Sequence, residues 1–198
     1  MVATVSVGGE QAILVLEVAE VSTQQMELMT ALLAVAAGVG TIGLWASRLL
    51  SGRLPAARAV VDAFTGPALW VAWIVAAAMM GGSLYFSEVA HFVPCTLCWY
   101  QRICVYPMAA ILLVAALRRD RSVRWYAIPL AAIAIGIGSY HYLIEWFPQL
   151  ERGSCSATGP ACSAVWFREL GFVSLPLMVV AGCSLIITLL LLQPPSED

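Results

Sequence analysis

Pro94-Cys95-Thr96-Leu97-Cys98-Trp99-Tyr100-Gln101-Arg102 stands where a short polar loop runs into an apolar segment that continues to about Leu117. If that segment is a helix, Cys95 and Cys98 lie three residues apart on one face, close enough to bridge. Arg102, four residues beyond Cys98, shares the face. Unpaired N–H groups at a helix start carry partial positive charge, and thiolates of C-x-x-C pairs in such places have depressed pKa values. Either cysteine can therefore ionise and enter exchange. An arginine one turn inside a membrane span is costly unless it meets a partner or a wet pocket. Together the residues read as a redox pair at a membrane surface, facing a site that attracts electron-rich or anionic ligands. Two plainer readings stand beside this one. A C-x-x-C pair can be half of a zinc site, which needs two more ligands at suitable spacing, and Arg102 can simply reach up to the interface.

The chain has 198 residues, 61% hydrophobic and 11% charged, with a mean hydropathy of +0.87. A soluble domain carries about a quarter charged residues, so the composition is that of a membrane protein. All ten basic residues are arginine, and their short clusters fall between apolar segments. That leaves no extended basic surface for nucleic acid. Of the six cysteines, Cys95, Cys98, Cys155 and Cys162 lie in or beside loops, whereas Cys104 and Cys183 lie within apolar runs. Two loop pairs suggest an oxidising compartment; the two in apolar runs read as small core residues.

Residues 1–27 carry four glutamates and no basic residue. The segment has no signal-peptide pattern and reads as an acidic tail with at most a short surface helix or strand. Leu28–Leu50 is long enough to cross a membrane, and its Gly38, Gly40 and Gly43 fit close helix contacts. A linker over 51–66 follows. Further apolar runs cover about 67–86, 99–117, 125–143 and 172–192, before a tail over 193–198. Placing Arg48, Arg53, Arg58, Arg118, Arg119, Arg121 and Arg124 in the cytoplasm puts the N-terminus and both cysteine loops on the far side. The expected fold is all-α: an integral membrane four-helix bundle over 67–192 with one additional N-terminal transmembrane helix, and with the C-terminus cytoplasmic. Pro129 and Pro176 are expected in first turns, and Pro107 inside its span.

The second outer loop contains Gly153-Ser154-Cys155-Ser156-Ala157-Thr158-Gly159-Pro160-Ala161-Cys162, flexible enough to close a pair and to move. Residues 164–170 are expected to form a helix lying in the interface. A structural disulfide with no traffic through it is the plain alternative for this loop. Two dithiol pairs on one side of a membrane can pass oxidising equivalents through a mixed disulfide. A continuing flow needs an electron sink, and neither a nicotinamide nor a haem motif is read here. A lipid-soluble acceptor beside Cys98 and Arg102 fits instead, with the Cys98 thiolate as donor and Arg102 stabilising charge that develops on a quinone oxygen.

On these residues the chain resembles the disulfide bond formation protein B family of membrane quinone-dependent thiol oxidases. The resemblance rests on the four-span core, the C-x-x-C at the outer start of its second span, Tyr100-Gln101-Arg102 just after it, and two cysteines in the second outer loop. It implies that Cys95 and Cys98 are the quinone-coupled pair, with Cys98 nearest the quinone and Arg102 its polar contact. It further implies that Cys155 and Cys162 exchange with a thioredoxin-like extracytoplasmic oxidase, Cys155 forming the mixed disulfide. The implied cofactor is a membrane quinone, menaquinone or ubiquinone, with no metal. His141 is a second quinone-site candidate, with Glu145 one turn later as its partner. The loop pair is closer in sequence than in proteobacterial members and resembles the short-loop, Gram-positive variety. The N-terminal span lies outside the family core.

Three rivals remain at this level. In a vitamin K epoxide reductase-like enzyme the C-x-x-C follows the loop pair rather than preceding it. A transmembrane reductant carrier would depend on Cys104 and Cys183. A non-enzymatic bundle would use its loop disulfides only against proteolysis.

Overall fold

A computed structural model describes residues 9–151 and 159–193. Its helices are α1 (Gly9–Leu50), α2 (Pro55–Thr65), α3 (Ala68–Leu84), α4 (Thr96–Arg118), α5 (Arg124–Trp146) and α6 (Leu175–Leu192). Among the described residues five stretches are long and apolar enough to cross a membrane: Thr23–Leu50, Ala68–Val89, Thr96–Arg118, Arg121–Trp146 and Leu175–Leu192. Among the described residues the only β-pairing is an isolated bridge between Glu169 and Val173.

The helix starts and stops follow from local chemistry. Cys95 caps α4, its sulfur accepting from the Cys98 backbone N–H at 3.3 Å. At the other end Arg119 takes a left-handed conformation (φ 55°) and stops α4. Asp120 then caps the next turn by accepting from the Ser122 N–H. Pro55 opens α2 and Pro176 lies in the first turn of α6, positions where a missing N–H costs nothing.

Four expectations are corrected. Residues 9–27 are not a tail but the first part of α1, because no proline interrupts them and their Ala, Leu, Glu and Gln residues favour helix. Pro129 lies in the interior of α5 rather than in its first turn, since that helix already begins at Arg124. Residues 164–170 form no helix. Trp166 and Phe167 instead find ring partners on Phe92 and Phe86, and Leu170 (φ 54°) and Gly171 (φ 80°) turn the chain into α6. Finally, Gly38-Val39-Gly40-Thr41-Ile42-Gly43 has the spacing of a dinucleotide-binding glycine motif. It lies wholly inside α1, whereas that chemistry needs a strand-to-helix turn; nor are the expected close helix contacts made, since Gly38 and Gly43 face open space and a Cβ on Gly40 would come only within 3.9 Å of Leu185 Cδ1.

Helices α3, α4, α5 and α6 close into a bundle, each packed on its neighbours, and α1 packs along α6. Met108, Leu112, Ile186 and Leu189 fill the centre, between the small residues Ala72, Ala76, Ala127, Ala131 and Ala134. In lipid, helices associate through such close packing rather than through a hydrophobic drive. Gly138 shows how tight the fit is: a Cβ there would lie 3.0 Å from Val180 Cγ2 and 3.3 Å from the Pro176 carbonyl oxygen. That contact holds α5 against α6 one turn below His141. Both cysteine-bearing loops leave the same end of the bundle, and the arginine clusters at 48–58 and 118–124 sit at the ends of helices pointing the other way.

Candidate functional site

Cys95 and Cys98 are free thiols with their sulfurs 3.1 Å apart. The N-cap geometry brings this about: Cys95 is extended, and one helical turn lifts Cys98 back over it. Cys95 is buried and packs in one apolar cluster with Leu97, Ile144 and Cys162. Cys162 is disulfide-bonded; Cys155 lies outside the described residues.

His141, fully enclosed on α5, ties the two loops together. Its Nε2 lies 3.0 Å from the Cys162 carbonyl oxygen and 3.7 Å from Cys95 Sγ, and its Nδ1 lies 3.2 Å from Gln101 Nε2. Nε2–H donates to the carbonyl, so Nδ1 accepts from the Gln101 amide, which fixes the tautomer. The Cys95 thiol is lowered to about 4. The hydrogen bond from Cys98 Sγ is the largest cause, followed by His141, while burial works in the opposite direction.

Cys98 opens to the other side, onto a cavity of about 400 Å³. Its polar end holds Gln101, Arg102, Ser83 and Tyr106; most of the remaining wall is apolar. Arg102 donates from Nη2 to the Ser83 carbonyl at 3.1 Å and lies 5.1 Å from the Trp99 ring centroid and 5.9 Å from that of Tyr106. Tyr106 Oη donates to Ser83 Oγ at 3.2 Å. A stack of Phe86, Phe92 and Trp166 closes the outer end, with ring centroids 5.7 and 4.9 Å apart.

The structure therefore joins Cys95, Cys98, Arg102 and the Cys162 loop, but it divides the expected quinone contacts. Arg102 and Cys98 line the cavity, whereas His141 lies on the far side of the dithiol, against Cys95 and Cys162. Glu145, one turn beyond His141, accepts from Ser174 Oγ. A second arginine also has part of its guanidinium enclosed. Arg168 stacks 4.0 Å from the Trp146 ring centroid, with Nε and Nη2 buried. Gln101, which bridges His141 and the cavity wall, was missed in the sequence, although a polar residue three places after Cys98 on an apolar helix was a usable signal. Trp166, expected in a helix lying in the interface, stacks on Phe92 at the cavity instead.

Cys95, Cys98 and His141 hold their ligand atoms within 4.8 Å of one another. That is three donors, and a closed structural zinc site takes four. Glu151 accepts from Ser163 and from the Cys162 backbone N–H at 3.0 Å, which holds its carboxyl below the usual range and fastens the Cys162 loop. Cys104 and Cys183 are buried in the bundle core.

Fold and site define a multi-pass helical membrane protein built around a reactive dithiol. The family model described as disulfide bond formation protein DsbB matches residues 65–193, and the chain belongs to that family. Disulfide bond formation protein C of Bacillus subtilis is 40% identical over 119 residues, covering 60% of this chain and 86% of that protein. Probable disulfide formation proteins of Coxiella burnetii and Deinococcus radiodurans are 40% and 46% identical over 111 and 99 residues, which is 56% and 50% of this chain and 76% and 65% of those proteins. No solved structure matches the chain. The protein is a membrane oxidoreductase of disulfide bond formation.

Proposed function

We propose that the protein reoxidises a thioredoxin-like extracytoplasmic thiol oxidase and passes the electrons to a membrane quinone. The observation that carries this reading is the two-sided placement of one dithiol. Cys95 meets the Cys162 loop through His141, while Cys98 faces an apolar cavity that contains Arg102.

The partner's two thiols reduce the loop disulfide, and the resulting loop dithiol reduces a Cys95–Cys98 disulfide; each exchange is a thiolate attack on sulfur. The last step returns that disulfide. The Cys95 thiolate bonds to the Cys98 sulfur, the Cys98 thiol proton and two electrons go to the quinone, and one further proton from water completes the quinol. The cavity suits such a substrate: Arg102 keeps N–H donors beyond the one given to Ser83, to meet negative charge as it develops, and the apolar wall accepts ring and side chain. His141 orients and stabilises the Cys95 thiolate rather than contacting the quinone. The arginine-rich helix ends favour a cytoplasmic placement, which puts the cysteine loops outside and the C-terminus inside.

Purified protein supplied with reduced thioredoxin-like partner and a soluble quinone tests this by quinone absorbance. Turnover that disappears in Cys98→Ala supports the reading; absent turnover, or equal turnover in the variant, refutes it.

A further inference from the structure

The extra helix α1 lies outside the 65–193 family match, yet it touches the acceptor cavity. Thr30, Leu33, Ala34 and Ala37 line the cavity along with Cys98 and Arg102. Three contacts fix α1 there. Near the cysteine end, a Cβ on Gly82 of α3 would lie 3.8 Å from Thr30 Cγ2. Ala31 and Ala34 pack in one cluster with Val173, Leu177 and Met178. Toward the opposite end, Trp45 Nε1 donates to Thr188 Oγ1 on α6 at 3.1 Å. α1 therefore runs antiparallel to α3 along the side where α3 and α6 meet, and the cavity lies behind it.

The chemistry of the wall is graded. Gln101, Arg102, Ser83 and Tyr106 are its polar groups, and the residues α1 adds are apolar apart from Thr30. Ala34 and Ala37 carry only methyl groups at positions where a larger side chain would occupy the space. From Thr30 to Ala37 the helix rises roughly 10 Å, longer than a quinone ring, so this wall also spans the start of a side chain.

We propose that α1 is part of the acceptor-binding site: the face bearing Leu33, Ala34 and Ala37 seats the apolar side chain of the quinone whose ring lies at Cys98 and Arg102. The inference rests on the quinone reading above and adds a residue set from outside the family's matched region. Ala34→Trp and Ala37→Trp fill the space this side chain would occupy.

The test uses the full-length protein in lipid nanodiscs, with a short-chain and a prenylated quinone as probes. The expected result is a KM for the prenylated quinone raised about tenfold or more in Ala34→Trp and Ala37→Trp, with a smaller effect on the short-chain quinone. Ile42→Trp, on the exposed face of α1, should leave both unchanged. Oxidation of the reduced partner in a single turnover without quinone should be unaffected in all three, which also shows that the variants fold. As a second measurement, a photoreactive prenylated quinone should label peptides from α1 as well as from α4. Labelling of α3 and α4 without α1, or unchanged KM in both tryptophan variants, overturns this inference and leaves the quinone reading intact. If unaltered protein neither turns over nor takes label, both readings fall together.

Discussion

The imidazole of His141 donates to the backbone carbonyl of Cys162 at 3.0 Å while the same nitrogen stands 3.7 Å from the Cys95 sulfur. One buried side chain thus couples the position of the loop disulfide to the charge state of the helix-cap thiol.

Removing that side chain should separate the two effects. The Cys95 shift is downward, so its thiolate persists as pH falls and disappears only as pH passes through about 4. In His141→Ala the thiolate loses one of its supports and should protonate at a higher pH. Iodoacetamide labelling of Cys95 in the reduced protein, followed by mass spectrometry, should be flat between about pH 6 and 8 in the unaltered chain, against about 8.5 for a free thiol's midpoint. The His141→Ala profile should bend downward at a higher pH; superimposable profiles would remove His141 from the account.

Arg102 should matter to the acceptor and not to the sulfurs. For Arg102→Ala, kcat/KM for quinone should fall by about a hundredfold to a thousandfold, the scale of losing a donor to developing negative charge. Partner oxidation in a single turnover should persist. Arg102→Lys keeps the charge but lacks the planar fork, and should recover only part of the loss.

Glu151 offers a test of loop order. Its carboxyl is depressed chiefly by the Ser163 hydroxyl and also by the Cys162 N–H. The order it confers is therefore complete above the ordinary carboxylate pKa of about 4.3 and is lost as pH falls through the lower folded value. Glu151→Gln should speed hydrogen exchange at the Cys162 amide about fivefold, the scale of one net hydrogen bond. Unchanged exchange would mean that the loop is held by its packing alone.

Two glycines on α5 should respond oppositely. Gly136 has open space where a Cβ would go, so Gly136→Ala should stabilise by about 1 kcal/mol through helix propensity. At Gly138 the same methyl meets Val180 and the Pro176 backbone, and crowding that costs up to about 3 kcal/mol should outweigh that gain. Thermal unfolding of the two full-length variants should place them on opposite sides of the unaltered protein.

Most of the bundle could be read from the sequence because lipid imposes long apolar runs, and the arginine clusters mark their ends. The capping role of Cys95 was likewise implicit in a C-x-x-C at a helix start. What stayed hidden depends on contacts across the chain. His141 was a candidate quinone contact because it stands near the outer end of an apolar span, on the side of the cysteine loops. Only the packing of α5 against the Cys162 loop shows which group it meets. Residues 164–170 have the composition of an interfacial helix, but the rings of Phe86 and Phe92 supply a better partner than lipid. The reach of α1 back to Gly9 was obscured by its glutamates, which favour helix even where they forbid burial.

The central claim is that two electrons leave this dithiol through Cys98. The protein is reduced, freed of reductant, and mixed anaerobically with a quinone in the absence of any partner, while quinone absorbance and the total of protein disulfide bonds are followed together. The account predicts quinol and disulfide appearing in equal amounts and at the same rate, and neither in Cys98→Ala. Quinone that stays oxidised while the disulfide forms, or quinol that forms equally without Cys98, would contradict it.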